Sequence, residues 1–214
     1  MTPRELLNSG AKKLGICLTV EQTNSVFIYL AELKKWGQKI NLTAIKDERD
    51  IVIKHVLDSL SYLHGFVAAP GLRLLDMGSG AGFPALPIKI AFPGISITMV
   101  DSVKKKASFL RHIIRTLKLT ETSVIDARTE ELSEQFLSTF DIVTARAFAD
   151  MKSAIAVGMP LLKPGGLMVL SRGREETIND QDLVRAGVSL ECRIDLILPY
   201  SDYKRTIWVF KKVG

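Results

Sequence analysis

Cysteine is scarce in this sequence: two in 214 residues, Cys17 and Cys192. Their separation matches no redox pair or metal-ligand spacing, which excludes a disulfide scaffold and a cysteine-built metal centre. The expectation is two buried thiols in a reducing compartment, and no metal site. Aromatic residues make up 7% of the chain, too few for a large base-stacking platform. No apolar run approaches the ~20 residues that a bilayer span requires. The opening Met1-Thr2-Pro3-Arg4-Glu5 lacks the apolar core of a signal peptide, so the expected location is cytoplasmic. Internal repeats and low-complexity linkers are also missing.

What is present suits a folded, single-domain protein. Hydrophobic residues make up 47% and charged residues 24%, enough to bury a sizeable core. The formal net charge is +6. A basic balance fits a polyanionic partner, because Lys and Arg contacts to phosphate drive nucleic-acid affinity.

The first seventy residues read as helical. Thr2 and Pro3 suit a cap and a first helical position, opening a helix to about Leu14. Thr19-Val20-Glu21-Gln22 has the capping-box spacing. It opens an amphipathic segment with Val26, Phe27, Leu30, Leu33 and Trp36 on one face. Asp47 then caps a helix expected over 48–64. Ala68-Ala69-Pro70-Gly71 closes this extension, placing the boundary between an N-terminal helical part, 1–70, and the main domain, 71–214.

Beyond that point the period changes. Apolar runs at 73–77, 95–100, 123–126, 142–146 and 167–171 alternate with helical patterns at 84–91, 103–118, 130–138 and 149–160. This alternation predicts βαβ units and a parallel sheet. Pro164-Gly165-Gly166 reads as a turn before the fifth strand. After a helix near 178–186, alternating runs at 190–198 and 206–212 predict a closing antiparallel hairpin at a sheet edge. The fold class is therefore α/β: a Rossmann-like, mostly parallel seven-stranded sheet with helices on both faces and a helical extension.

The stretch Asp76-Met77-Gly78-Ser79-Gly80-Ala81-Gly82-Phe83-Pro84 joins the first strand to its helix. A strand that breaks into glycines before a helix suits an adenosine-containing ligand, since the backbone can approach closely. The spacing G-x-G-x-G departs from the dinucleotide pattern G-x-G-x-x-G, and Phe83-Pro84 would crowd a pyrophosphate. With Asp76 two residues before Gly78, the turn resembles motif I of class I S-adenosylmethionine methyltransferases. Asp76 would supply negative charge near the ligand's ammonium. Asp101, at the end of the second strand, can accept from ribose hydroxyls. Asp126-Ala127-Arg128-Thr129-Glu130 follows the third strand, where adenine would lie.

No Asn-Pro-Pro-Tyr type of motif follows the fourth strand, and neither cysteine is placed for attack on a pyrimidine. The fourth strand ends in Thr144-Ala145-Arg146-Ala147, and Arg146 is a poor base because it stays protonated. A nucleophile that carries no proton, such as guanine N7, fits the missing base. Small-molecule methyl transfer, nicotinamide chemistry and a non-catalytic RNA-binding module remain open on these residues alone.

Trp36-Gly37-Gln38-Lys39-Ile40-Asn41-Leu42-Thr43, His55-Val56-Leu57-Asp58-Ser59-Leu60, the glycine turn and Thr144-Ala145-Arg146-Ala147 together resemble the bacterial 16S rRNA guanine-N7 methyltransferases, the glucose-inhibited division protein B family. The resemblance implies a class I methyltransferase fold and S-adenosyl-L-methionine as cofactor. It implies N7 of a guanine in 16S rRNA as acceptor, guanine 527 in the family's target. The partner would be that RNA or the assembling small subunit, engaged by a monomer. Cofactor contacts carried over are Gly78, Phe83, Thr129, Glu130 and Arg146, beside Asp76, Gly80, Gly82 and Asp101 from the motif reading. His55, Asp58 and Ser59 match the extension motif, either as substrate contacts or as a polar seam docking the extension. Lys104, Lys105 and Arg172 are candidate RNA contacts. Arg172 lies in Ser171-Arg172-Gly173-Arg174, where the family often has Lys-Gly.

Overall fold

The structure, a computed structural model, describes residues 1–132, 134–146, 150–173 and 178–213. In the extension, α1 (Pro3–Lys13) and α2 (Val20–Gly37) both start with complete capping boxes, at Thr2 and Thr19. Each cap satisfies amide groups that a helix N-terminus otherwise leaves unpaired.

The expected helix over 48–64 is one helical run in four segments. Its four segments have three geometries: α3 (Glu48–Ile51) and α4 (Asp58–Ser61) are α-helical, with a π-helical stretch (Val52–Leu57) between them and a 3₁₀ turn (Tyr62–His64) after them. Apolar periodicity does not encode such a change of pitch. A π-helical stretch rotates the side chains after it relative to a regular helix, and here it carries His55.

Seven strands follow: β1 (Arg73–Met77), β2 (Ser96–Val100), β3 (Thr122–Ile125), β4 (Phe140–Ala145), β5 (Leu162–Arg172), β6 (Val188–Ile197) and β7 (Lys204–Lys212). They form one sheet of order β3-β2-β1-β4-β5-β7-β6. The first five run parallel and the β6–β7 hairpin is antiparallel, with β7 beside β5 and β6 at the edge. Strand order reverses between β1 and β4, the place where open α/β sheets bind ligands at the carboxyl ends of their strands.

The helices are α5 (Ala85–Ala91), α6 (Lys104–Thr116), α7 (Met151–Gly158) and α8 (Asp180–Arg185). Alternate residues of each strand feed opposite faces. Leu74, Ile97, Ile142 and Val169 join one core with α1, α2, α5 and α6. Leu75, Val100, Val143 and Leu170 join the other with α7. The extension therefore shares the core of the sheet: Leu6, Tyr29 and Val56 are buried in the same cluster as Leu74 and Phe109.

Several expectations need correction. The helix predicted over 130–138 is two 3₁₀ turns, Thr129–Glu131 and Glu134–Phe136; residue 133 lies outside the described residues. Thr129 is the one residue of these turns that is buried. So little buried apolar surface does not offset the cost of nucleating a helix. Pro164-Gly165-Gly166 lies within β5 rather than before it, and the register between β4 and β5 shifts opposite it. Cys17 and Cys192 are both exposed, not buried. Cys17 lies between α1 and α2, and Cys192 lies on the edge strand β6, so neither packs into a core.

Candidate functional site

Parallel pairing brings the carboxyl ends of β1, β2, β3 and β4 to one rim of the sheet. Gly78 and Gly80 follow β1 with φ of +65° and +58°. These left-handed conformations suit residues without a Cβ. A Cβ on Gly78 would meet nothing within 4 Å, so the turn has open space over it. Gly82 differs: a Cβ there would collide with Leu86 and Leu110, so this glycine serves helix–turn packing.

The turn is fastened from three sides. The Gly80 amide donates to Asp101 Oδ2 at 2.8 Å, and the Val103 amide donates to Oδ1 at 2.9 Å. The Ser79 amide donates to the Val100 carbonyl at 2.9 Å. From the extension, the buried Tyr29 hydroxyl donates to the Ala81 carbonyl at 2.6 Å. Asp101 thus shapes the turn as well as standing at the rim.

Asp76 lies in β1 and is wholly buried. The Thr144 hydroxyl donates to its Oδ1 at 2.9 Å, while its buried Oδ2 has no partner among the described residues. Burial is the chief cause that pushes its pKa up to about 7. The carboxyl therefore lies under the glycine turn, inside the core, with one oxygen that no described residue engages. A buried acid with one free oxygen and no cation paired to it among the described residues, beside an open turn, favours a cationic occupant. A pyrophosphate there would add like charge.

Phe83 is 6% exposed and stacks on His55, with ring centroids 4.7 Å apart and planes at 22°. Arg146, just past β4, lies over the same Phe83 ring at 5.5 Å. Its Nη2 donates to the Lys54 carbonyl at 2.9 Å and to His55 Nδ1 at 2.6 Å. Because Arg has no acceptor, Nδ1 must accept, so Nε2 carries the proton and donates to the Thr43 hydroxyl at 2.7 Å. Burial first, and the Arg146 charge second, push the His55 pKa down to about 3. The imidazole is neutral with both nitrogens engaged.

Asp58 is 2% exposed and pairs with two arginines: Arg146 Nε at 3.4 Å and Arg205 Nε at 2.8 Å. Ser59 is fully buried and its hydroxyl donates to the His55 carbonyl at 2.5 Å. Asp58 and Ser59 are thus buried and engaged within the chain, between the extension and the sheet. Arg146 likewise ties the extension to the sheet. Arg205 was not singled out from sequence: its partner Asp58 is 147 positions away, and no local pattern marks it.

At the rim beyond β3, Thr129 is buried and Glu130 is exposed. Lys104 and Lys105 are exposed in the first turn of α6. Three lysines open that helix with no acid in its first turn, against the helix dipole; an anionic partner would offset this. Arg172, at the end of β5, is 7% exposed, and its Nη1 donates to the Arg146 carbonyl at 3.4 Å. Ala147 and Arg174 of the sequence motifs lie outside the described residues. No group of three or more potential metal ligands occurs among the described residues, and no helix there is long and apolar enough to cross a membrane.

A family model described as rRNA small subunit methyltransferase G matches residues 22–193. A ribosomal RNA small subunit methyltransferase G from Geobacter sp. (strain M21) is 42% identical over 210 residues, covering 96% of each chain. One from Acetivibrio thermocellus is 37% identical over 214 residues, covering 98% of this chain and 88% of the relative. Among solved structures, the [4+2]-cyclase SpnF superposes with a TM-score of 0.64 at 17% identity, over 92% of this chain and 98% of the other. A SAM-dependent methyltransferase from Aquifex aeolicus gives 0.58 at 14% identity, over 77% and 93%. At these identities the structural likenesses establish the fold, which is the Rossmann-like arrangement expected from the sequence.

Proposed function

The chain belongs to the rRNA small subunit methyltransferase G family, and from that premise we propose that it moves a methyl group from S-adenosyl-L-methionine to N7 of a guanine in 16S rRNA, guanine 527 in the family's target. The observation that carries the donor is the open glycine turn beside a buried carboxyl with one unpartnered oxygen. Gly78 has free space above it, and Asp76 Oδ2 has no partner among the described residues. S-adenosylmethionine carries an ammonium and a sulfonium and no phosphate, which fits that electrostatic setting. Its sulfonium supplies an electrophilic methyl group.

The residues of the chain supply position rather than proton transfer. Gly78 and Gly80 present backbone, Asp101 has spare lone pairs for ribose hydroxyls, and Thr129 and Glu130 stand where the adenine end would lie. Phe83 closes the turn, and Arg146 stands behind it. Guanine N7 attacks with an in-plane lone pair that bears no proton, so holding it in line with the methyl group is the main requirement. The groups near the rim fit that economy. His55 has both nitrogens engaged, Asp58 is paired twice and Asp76 is buried.

The test is methylation of rRNA from a strain lacking the enzyme, followed by mapping of the modified nucleotide and the atom that bears the methyl group. A 7-methylguanine in 16S rRNA is the expected product. Methylation of an exocyclic amine or a ribose hydroxyl would overturn the assignment.

A further inference from the structure

The β6–β7 hairpin and the end of β5 enclose a cleft of about 490 Å³. Among the described residues, four basic side chains line it, Arg172, Arg193, Lys204 and Arg205, together with one carboxylate, Asp195. The exposed Ile197 adds an apolar contact between the charges, while its neighbour Leu196 packs toward the core. Two of the arginines are held in place. The Arg193 guanidinium lies 5.0 Å over the Trp208 ring and is fixed by Asp195 at 3.2 Å. Arg205 is held by Asp58, and a Cβ on Gly173 would come 3.0 Å from its Nη1, so the glycine leaves room for it at the wall. Lys204 is exposed and makes no ion pair among the described residues.

The cleft joins the candidate active site through two contacts. Arg205 shares Asp58 with Arg146, and Arg172 donates to the Arg146 carbonyl. Arg193 faces Trp208 and Lys204 faces Ile197 in the hairpin register. Four strand positions separate these pairs, roughly 14 Å, long enough for more than one phosphate. We infer that this hairpin cleft grips the sugar–phosphate backbone of the RNA strand next to the target nucleotide, the exposed cations meeting phosphates and Ile197 meeting a sugar or base face. The inference rests on the rRNA reading above. An acidic peptide would satisfy the cations but would not need continuity with the rim where the base must reach.

The test is binding of a 16S rRNA fragment, by anisotropy across a salt series, with the full-length chain and its Arg193→Glu/Lys204→Glu variant. The expected result is a 10- to 100-fold weaker affinity at moderate salt. The slope of log affinity against log salt should fall by about 1.4 to 1.8, the value for two lost phosphate contacts. A Lys12→Glu/Lys118→Glu variant carries the same charge change outside the cleft and is expected to bind near the wild-type level. Arg193→Ala and Lys204→Ala, as milder changes with a thermal midpoint near wild type, should each show a smaller loss in the same direction. Unchanged affinity and slope in the glutamate variant, or an equal loss in the Lys12/Lys118 control, overturns the inference. Methylation is scored separately on the wild type. N7 product with cleft-independent binding sinks this inference alone, and cleft-dependent RNA binding without that product sinks the N7 assignment while supporting the cleft.

Discussion

Arg146 and His55 are 91 residues apart, yet an Arg146 Nη2–H donates to His55 Nδ1 at 2.6 Å. This bond fixes the histidine tautomer and ties the extension to the end of β4. It also holds a cation against a ring that burial first, and this charge second, keep neutral.

The pH dependence of that arrangement has a definite sign. His55 is held near pKa 3 in the fold against 6.5 ordinarily. The unfolded chain therefore takes up a proton that the native protein refuses between those values, and stability falls as pH drops from about 6.5 to about 3. His55→Gln should flatten that limb by up to a few kcal/mol, read from denaturant melts at pH 4 and pH 7. An unchanged limb would show that the imidazole is free to charge.

Asp76 acts in the opposite sense. Its pKa is raised to about 7 from 3.8, so this group's stabilising contribution is complete below 3.8 and lost as pH rises through about 7. Asp76→Asn should raise the thermal midpoint at pH 8 and leave it nearly unchanged at pH 3.5. The same variant should bind S-adenosylhomocysteine at least tenfold more weakly, measured by calorimetry, because the ligand's ammonium loses its counter-charge. Full affinity in a stabilised Asp76→Asn protein would remove the carboxyl from the binding site.

Two glycines of the turn should respond differently to alanine. Gly78→Ala forces a side chain into the left-handed region, costing about 1 kcal/mol, in open space. Gly82→Ala adds a collision with Leu86 and Leu110 to the same kind of strain and should cost about 2–4 kcal/mol. Equilibrium unfolding of both variants checks the order; Gly78→Ala should lose more cofactor affinity than stability.

The shared carboxylate predicts an asymmetric series. Asp58→Asn leaves Arg146 and Arg205 without a counter-ion in a partly buried seam, a loss of about 2–4 kcal/mol. Arg205→Gln removes one of two partners and should cost less, about 1–2 kcal/mol. The double variant should be closer to Asp58→Asn than to the sum, because the two sites are coupled.

Local chemistry alone made the capping boxes at Thr2 and Thr19, the βα alternation, the closing hairpin and the glycine turn readable, since each is written in neighbouring residues. The departure from G-x-G-x-x-G was enough to favour a donor without phosphate. Tertiary structure decided the rest. Asp76 sits in the core beside Thr144, 68 positions away, and nothing in its neighbours along the chain announces that one oxygen is unpaired. The π-helical pitch over Val52–Leu57 sets where His55 points, and apolar spacing is silent about it. Asp58 meets Arg146 and Arg205 only in the fold, and no local pattern in the sequence pairs it with either. The physical reason is the same in each case: helices, caps and turns arise from contacts a few residues apart, whereas burial, charge pairing and pKa depend on groups that only the folded sheet brings together.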